Sequence, residues 1–134
     1  MKQLVDDLKE LNMISDELYF SFMKGSPIAG GLLGALIENS KTFICSINTE
    51  YLYLFKIKNS FSYKGIKSET IQKIKLADIS MIEWRPKTFT GYFKIFYNGE
   101  KITGTLSRGE ENKEKFEKCL SFLEEYPNIV FKVR

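Results

Sequence analysis

The stretch 110–126, EENKEKFEKCLSFLEEY, limits the possible folds more than any other part of the chain. Phe116, Cys119, Leu120, Leu123 and Tyr126 recur on one stripe at helical spacing, with Glu, Lys and Ser on the opposite side. The spacing predicts a helix over Glu110–Tyr126. Almost everything between Glu17 and Leu106 instead has strand character. A single amphipathic helix that follows a run of strands must lay its stripe on something apolar, and the open end of a curled sheet is the natural receiver. Burying four or five such side chains would contribute on the order of 1.5–3 kcal/mol each.

The strands are read from β-forming runs and the turns between them. Leu18–Met23 is aromatic and alternates weakly. Thr42–Asn48 and Tyr51–Lys58 are rich in β-formers and meet at a short turn. Residues 59–68 read as a polar loop. Glu69–Leu76 alternates, with Ile71, Lys73 and Lys75 on one side and Gln72, Ile74 and Leu76 on the other. Ile79–Arg85 carries the lone Trp84 and is expected to stop at Pro86, which cannot donate to a ladder. Gly91–Tyr97 and Lys101–Leu106 flank Asn98-Gly99, the strongest short hairpin signal, because both residues tolerate positive φ. Phe93, Ile95 and Tyr97 face one way; Tyr92, Lys94 and Phe96 face the other. A first helix is expected at Lys2–Asn12, with Leu4, Val5, Leu8 and Leu11 on its stripe, packed on the sheet or on a second copy. Residues 129–133 form a short final strand or a tail.

A chain of 134 residues is one domain: an N-terminal helical region (1–14), strands over 17–106 and a capping helix at 110–126. The two cysteines make no disulfide framework, which fits a reducing, cytoplasmic setting. Asp6, Asp7 and Glu10 interrupt the N-terminal apolar residues, against a secretory signal. Gly25–Asn39 is a Gly-rich insert. Its apolar run, Pro27–Ile37, is far short of the roughly 20 residues of a membrane span. Gly30 and Gly34 have the small-xxx-small spacing that lets another backbone approach if the segment is helical. Gly30, Gly31, Leu33 and Gly34 are therefore candidates for self-association; a buried connection and a membrane-dipping segment are the alternatives. The insert lacks the Lys-Ser/Thr of a phosphate loop.

The net charge of +3 hides a gradient. Residues 41–108 carry twelve Lys and Arg against five acids, whereas residues 1–40 carry three against six and residues 109–134 five against six. A basic strand region is either a solvated lysine face or a surface for anionic lipid, nucleic acid or acidic protein. Two patches stand out. Arg85, Lys87 and Phe89 put two cations beside an aromatic in one loop, suited to an anionic membrane surface; the plain alternative is an ordinary hairpin connection. Lys56, Lys58, Lys64, Lys67, Lys73 and Lys75, with Tyr63, form a basic patch if their strands come together, and such a patch also suits single-stranded nucleic acid.

Nothing points to catalysis. The absence of histidine removes the commonest general base and metal ligand. Cys45 and Cys119 fit buried hydrophobic positions, and no Cys-x-x-Cys pair or Gly-x-Ser-x-Gly elbow occurs. No catalytic, cofactor or metal residues are expected.

Four segments resemble the pleckstrin-homology superfold, most closely the small bacterial pleckstrin-homology-like domains of the YokE type. They are FICSINTEYLYLF at 43–55, IKLADISMI at 74–82, YFKIFYNGEKI at 92–102 and the helix 112–123, and the similarity spans roughly residues 17–126. The resemblance implies a mainly β, α+β domain: seven strands in a bent antiparallel sheet or barrel, capped by the C-terminal helix, with an added N-terminal helix. It also implies a non-catalytic scaffold for protein or lipid contact. Two features depart from the pattern. The Lys-x-Arg motif of phosphoinositide binders is missing between the first two strands, where only Lys24 and Lys41 stand. The terminal helix has no tryptophan, so Phe116 or Phe122 takes that place. The expected partners are, in order, a protein or the chain itself, an anionic membrane surface, and single-stranded nucleic acid.

Overall fold

Runs of β-branched and aromatic residues, cut by Asn, Asp and Gly, set the strand boundaries. The computed structural model describes residues 2–24, 42–57 and 71–134. In chain order these form α1 (Lys2–Glu10), β1 (Tyr19–Lys24), β2 (Thr42–Ile47), β3 (Tyr51–Ile57), β4 (Gln72–Lys75), a 3₁₀ turn (Leu76–Asp78), β5 (Ile79–Lys87), β6 (Thr90–Tyr97), β7 (Glu100–Leu106), α2 (Glu110–Leu123) and β8 (Val130–Val133). Asn98 and Gly99 take φ of 48° and 76°, the left-handed pair that a tight β6–β7 hairpin demands. The β2–β3 turn is held by Asn48, whose Oδ1 accepts the backbone N–H groups of Glu50 and Tyr51 at 2.9 and 2.7 Å.

The strands form one sheet in the order β4-β3-β2-β1-β7-β6-β5-β8. All neighbours are antiparallel except β5 and β8, which run parallel. The sheet is strongly bent. Gln72 Nε2 on β4 donates to the Tyr97 hydroxyl on β6 at 2.8 Å. Five strand spacings would hold these strands about 24 Å apart in a flat sheet.

Two expectations need correction here. The sheet has eight strands rather than seven, is mixed rather than purely antiparallel, and does not close into a barrel. After α2 the chain turns back and lays β8 along the free edge of β5, the edge that β4 would need for closure. Asn128 anchors that return by donating Nδ2 to the carbonyls of Leu76 and Ile79, each at 3.0 Å. Ile129 and Phe131 then pack on the core. Second, β5 does not stop before Pro86 but runs through it to Lys87. β8 pairs with β5 only as far as Trp84, so beyond it a residue whose nitrogen points away from β6 loses no ladder bond.

The concave side holds the main core. Phe20, Phe22, Cys45, Ile47, Leu52, Leu54 and Ile74 from β1–β4 join Ile82, Trp84, Phe93, Ile95 and Ile102 from β5–β7. Phe116, Cys119 and Leu123 of α2 are buried among them, with Leu120, Phe122 and Tyr126 packed at the margin. Phe116 is the hub: its ring lies 4.8 Å from Phe20, 4.3 Å from Trp84 and 5.4 Å from Phe93. Gly104 faces Phe93 and Phe22 so closely that a Cβ there would run into both rings. Asn112, in the first turn of α2, accepts the Ser21 N–H and donates to the Ser21 and Ser107 carbonyls, each at 2.9 Å, tying the helix to β1.

A second cluster lies on the convex side of β1–β4. Leu4 and Leu8 of α1, with Met13 and Ile14, bury Tyr19, Ile44, Tyr53, Phe55 and Ile57. This double burial explains why β2 and β3 read as nearly continuous apolar runs. Leu11 departs from the expected stripe: α1 ends at Glu10, Asn12 turns at φ 56°, and Leu11 is 54% exposed.

Candidate functional site

Arg85 and Lys87, expected in one loop with Phe89, lie on β5, and Phe89 sits in the two-residue turn that joins it to β6. This hairpin tip is firmly held. The Gly109 N–H donates to the Phe89 carbonyl at 2.7 Å, the Lys113 ammonium to the Lys87 carbonyl at 2.9 Å, and the Thr90 hydroxyl to the Leu106 carbonyl at 2.6 Å. Phe89 itself takes φ 59°, which costs an ordinary side chain on the order of 1–3 kcal/mol. Its ring is 45% exposed. The same bonds carry Arg108 and Lys113 toward the tip, an enrichment that spacing along the chain did not reveal.

The expected lysine patch is not one surface. Lys73 and Lys75 lie on the convex face of β4, opposite Tyr53 and Tyr51, and Lys73 Nζ sits 4.1 Å from the Tyr51 ring centroid. Lys56 follows Leu52 and Leu54 in alternation and so belongs to the other face of β3, beyond the last residue paired with β4. Strand alternation, a period of two, separates them. Lys58, Lys64, Lys67 and Tyr63 lie outside the described residues, as do the candidates Gly30, Gly31, Leu33 and Gly34. Lys73 and Lys75 instead line a cleft of about 330 Å³ with Asp78, Tyr97 and Asn98.

A second, larger cleft was not anticipated. It is a groove of about 450 Å³ on the convex face of β5–β8, where Glu83, Arg85, Tyr92, Lys94, Phe96, Lys101, Thr103 and Arg134 meet. The register builds it row by row: Glu83 pairs with Lys94 and Lys132, Lys94 with Thr103, Arg85 with Tyr92, and Phe96 with Lys101. Tyr92 and Phe96 are half-buried on either side of Lys94. The Arg134 guanidinium lies 3.6 Å from the Glu83 carboxylate. The alternation of Tyr92, Lys94 and Phe96 was visible in the sequence. The return of β8, which delivers Lys132 and Arg134, was not.

The thiols are unsuited to nucleophilic chemistry. Burial, with Cys119 nearby, pushes the Cys45 thiol well above its usual range, and burial pushes Cys119 up to about 12 despite the opposing effect of Lys118. Burial would lower the Lys115 ammonium, but its 2.6 Å bond to the Tyr19 hydroxyl and the charge of Glu111 raise it. Among the described residues, no three His, Cys, Asp or Glu side chains gather as metal ligands. No described helix is long and apolar enough to cross a membrane.

No family model matches the chain, and no curated protein matches it.

Proposed function

We propose that the chain is a pleckstrin-homology-like, non-catalytic interaction module that binds a protein partner or another copy of itself. One observation carries this: with the mouth of the bent sheet filled by the terminal helix, the clefts among the described residues lie open at the surface, one on the convex face of β5–β8 and one between β4 and the β6–β7 turn, each lined by cations and aromatic rings. Such a surface recognises rather than encloses. Light scattering on the eluting protein reports self-association, and affinity capture from the source cells followed by mass spectrometry reports partners. A strict monomer that captures no protein reproducibly overturns the proposal.

A second reading has its own support. Phe89, exposed in the turn that follows Arg85 and Lys87 on β5 and bonded through its carbonyl to Gly109, next to Arg108, has the form of a peripheral anchor for anionic lipid, to which each cation near the surface adds about 1 kcal/mol. Co-sedimentation with anionic and neutral vesicles tests it. Pelleting with anionic vesicles that is lost in Phe89→Ser supports the anchor, and no pelleting at low salt removes it.

A further inference from the structure

We infer that the convex face of β5–β8 is a docking groove for an acidic, extended polypeptide segment of a partner protein. This deepens the interaction-module proposal and rests on it. The first ground is charge complementarity. Arg85, Lys94, Lys101, Lys132 and Arg134 project from this face against one acid, Glu83. An acidic chain gains favourable pairing and faster encounter on such a surface.

The second ground is shape. The groove is concave, whereas a bilayer presents a broad surface, and its floor is a row of half-buried Tyr92, Lys94 and Phe96 along one strand. Alternate side chains of an extended peptide can drop onto the two rings while the acids between them reach the rim cations.

Third, the groove ends at an edge. In strand order β8 is outermost among the described residues. Arg134 donates its backbone N–H to the Trp84 carbonyl, so by alternation the backbone groups of Phe131 and Val133 point to the open side. Val130 and Val133, on opposite faces of this strand, are 60% and 66% exposed. An extended chain can take up those hydrogen bonds.

Glu83 decides between peptide and nucleic acid. Its carboxylate sits on the groove wall with only 17% of its side chain exposed, and Arg134 is its ion-pair partner. A phosphate backbone, charged at every nucleotide and without N–H donors of its own, would have to pass this negative charge, whereas a peptide whose acids alternate with apolar residues can meet it with a backbone N–H.

The test is fluorescence anisotropy at low salt with a labelled synthetic peptide alternating Asp or Glu with Phe. The comparison probes are the same peptide with Lys for each acid and a labelled oligothymidylate. Saturable binding of the acidic peptide alone is expected, falling as salt rises. It should weaken by at least about tenfold in Arg85→Glu and Lys101→Glu, and stay unchanged in Lys9→Glu, on α1 behind the other half of the sheet. Circular dichroism of each variant confirms that it is folded. No binding of the acidic peptide, equal loss in Lys9→Glu, or tighter binding of the oligonucleotide through Arg85 and Lys101 overturns the inference. A protein partner still captured by Arg85→Glu and Lys101→Glu would leave the interaction module standing and remove only this groove from it.

Discussion

The two halves of the sheet share an inner wall but differ on the outside. Behind β1–β4, α1 covers Tyr19, Ile44, Tyr53, Phe55 and Ile57, so both faces are buried. Behind β5–β8 no described element lies, and the face is cations around two half-buried rings. The inner residues are alike in kind on both halves, aromatic and branched aliphatic. What distinguishes the halves is therefore decided by the alternate residues of each strand. Apolar alternates in β2 and β3 require a cover; charged alternates in β5–β7 tolerate water and leave a surface for something else.

The largest effect should come from the residue both halves share. Phe116→Ala removes the ring between Phe20, Trp84 and Phe93, and should cost about 3–5 kcal/mol in urea denaturation. A loss below about 1 kcal/mol would mean that the two inner walls do not depend on a common helix, and the comparison would have to treat them as separate cores.

Next comes a pair of substitutions, one on each convex face. Leu8 of α1 is fully buried against the convex face of β1–β4, and Leu8→Ala should cost about 2–5 kcal/mol. Phe96→Ala, on the bare face, should cost under about 1 kcal/mol. Equal losses would show that the second face is also part of the core, and the contrast would fail.

This asymmetry also explains what could be read from the residues alone. The stripe of Phe116, Cys119 and Leu123, the alternation of Phe93, Ile95 and Tyr97, and the Asn98-Gly99 turn are local signals set by one element's own period. They placed the hairpin and the start of the helix, which ends at Leu123 rather than at the expected Tyr126. The path of β5 through Pro86 was missed because it depends on how far β8 extends along the opposite edge. The failure to close is of the same kind, since it depends on which strand reaches the edge of β5 first. The nearness of Arg85, Lys87 and Phe89 was legible because they are neighbours in sequence, but the first two lie on β5 rather than in a loop. The groove was not, because Glu83, Lys94, Lys101 and Arg134 meet only through register across four strands. The split of Lys56 from Lys73 and Lys75 follows from the same period-two rule, applied across a pairing the sequence does not reveal.

Alkaline pH should act on the inner wall of the first half and on α2. Burial raises both Cys45 and Cys119, the latter to about 12, so the folded state holds these protons where the unfolded chain releases them. The stabilisation is complete below the unfolded thiol value of about 8.5 and declines as pH rises through the folded values. Thermal midpoints measured from about pH 8 to pH 11 should fall more steeply in the wild type than in Cys45→Ala/Cys119→Ala, whatever the absolute stability of the variant. Equal slopes would mean that the thiols are not held neutral by the core.

The smallest effect separates the convex faces by salt rather than by size. Glu83 is the only acid among Lys94, Lys132 and Arg134 on the second half, and its partner Arg134 is about half exposed at 49%. With Arg134 half open to solvent the 3.6 Å pair is screened and worth on the order of 1 kcal/mol, so Glu83→Gln should cost no more than that at low salt. The loss should shrink as salt screens the cations left facing one another. Lys73 on the first half is instead placed over the Tyr51 ring, a contact worth about 0.5–1 kcal/mol at an exposed site. Lys73→Gln removes that contact without creating a cluster of like charges, so its cost should change little with salt. If both substitutions respond to salt alike, the second face is not distinguished by unbalanced charge. If only Glu83→Gln does, the stability of β5–β8 carries the repulsion that an acidic partner would relieve.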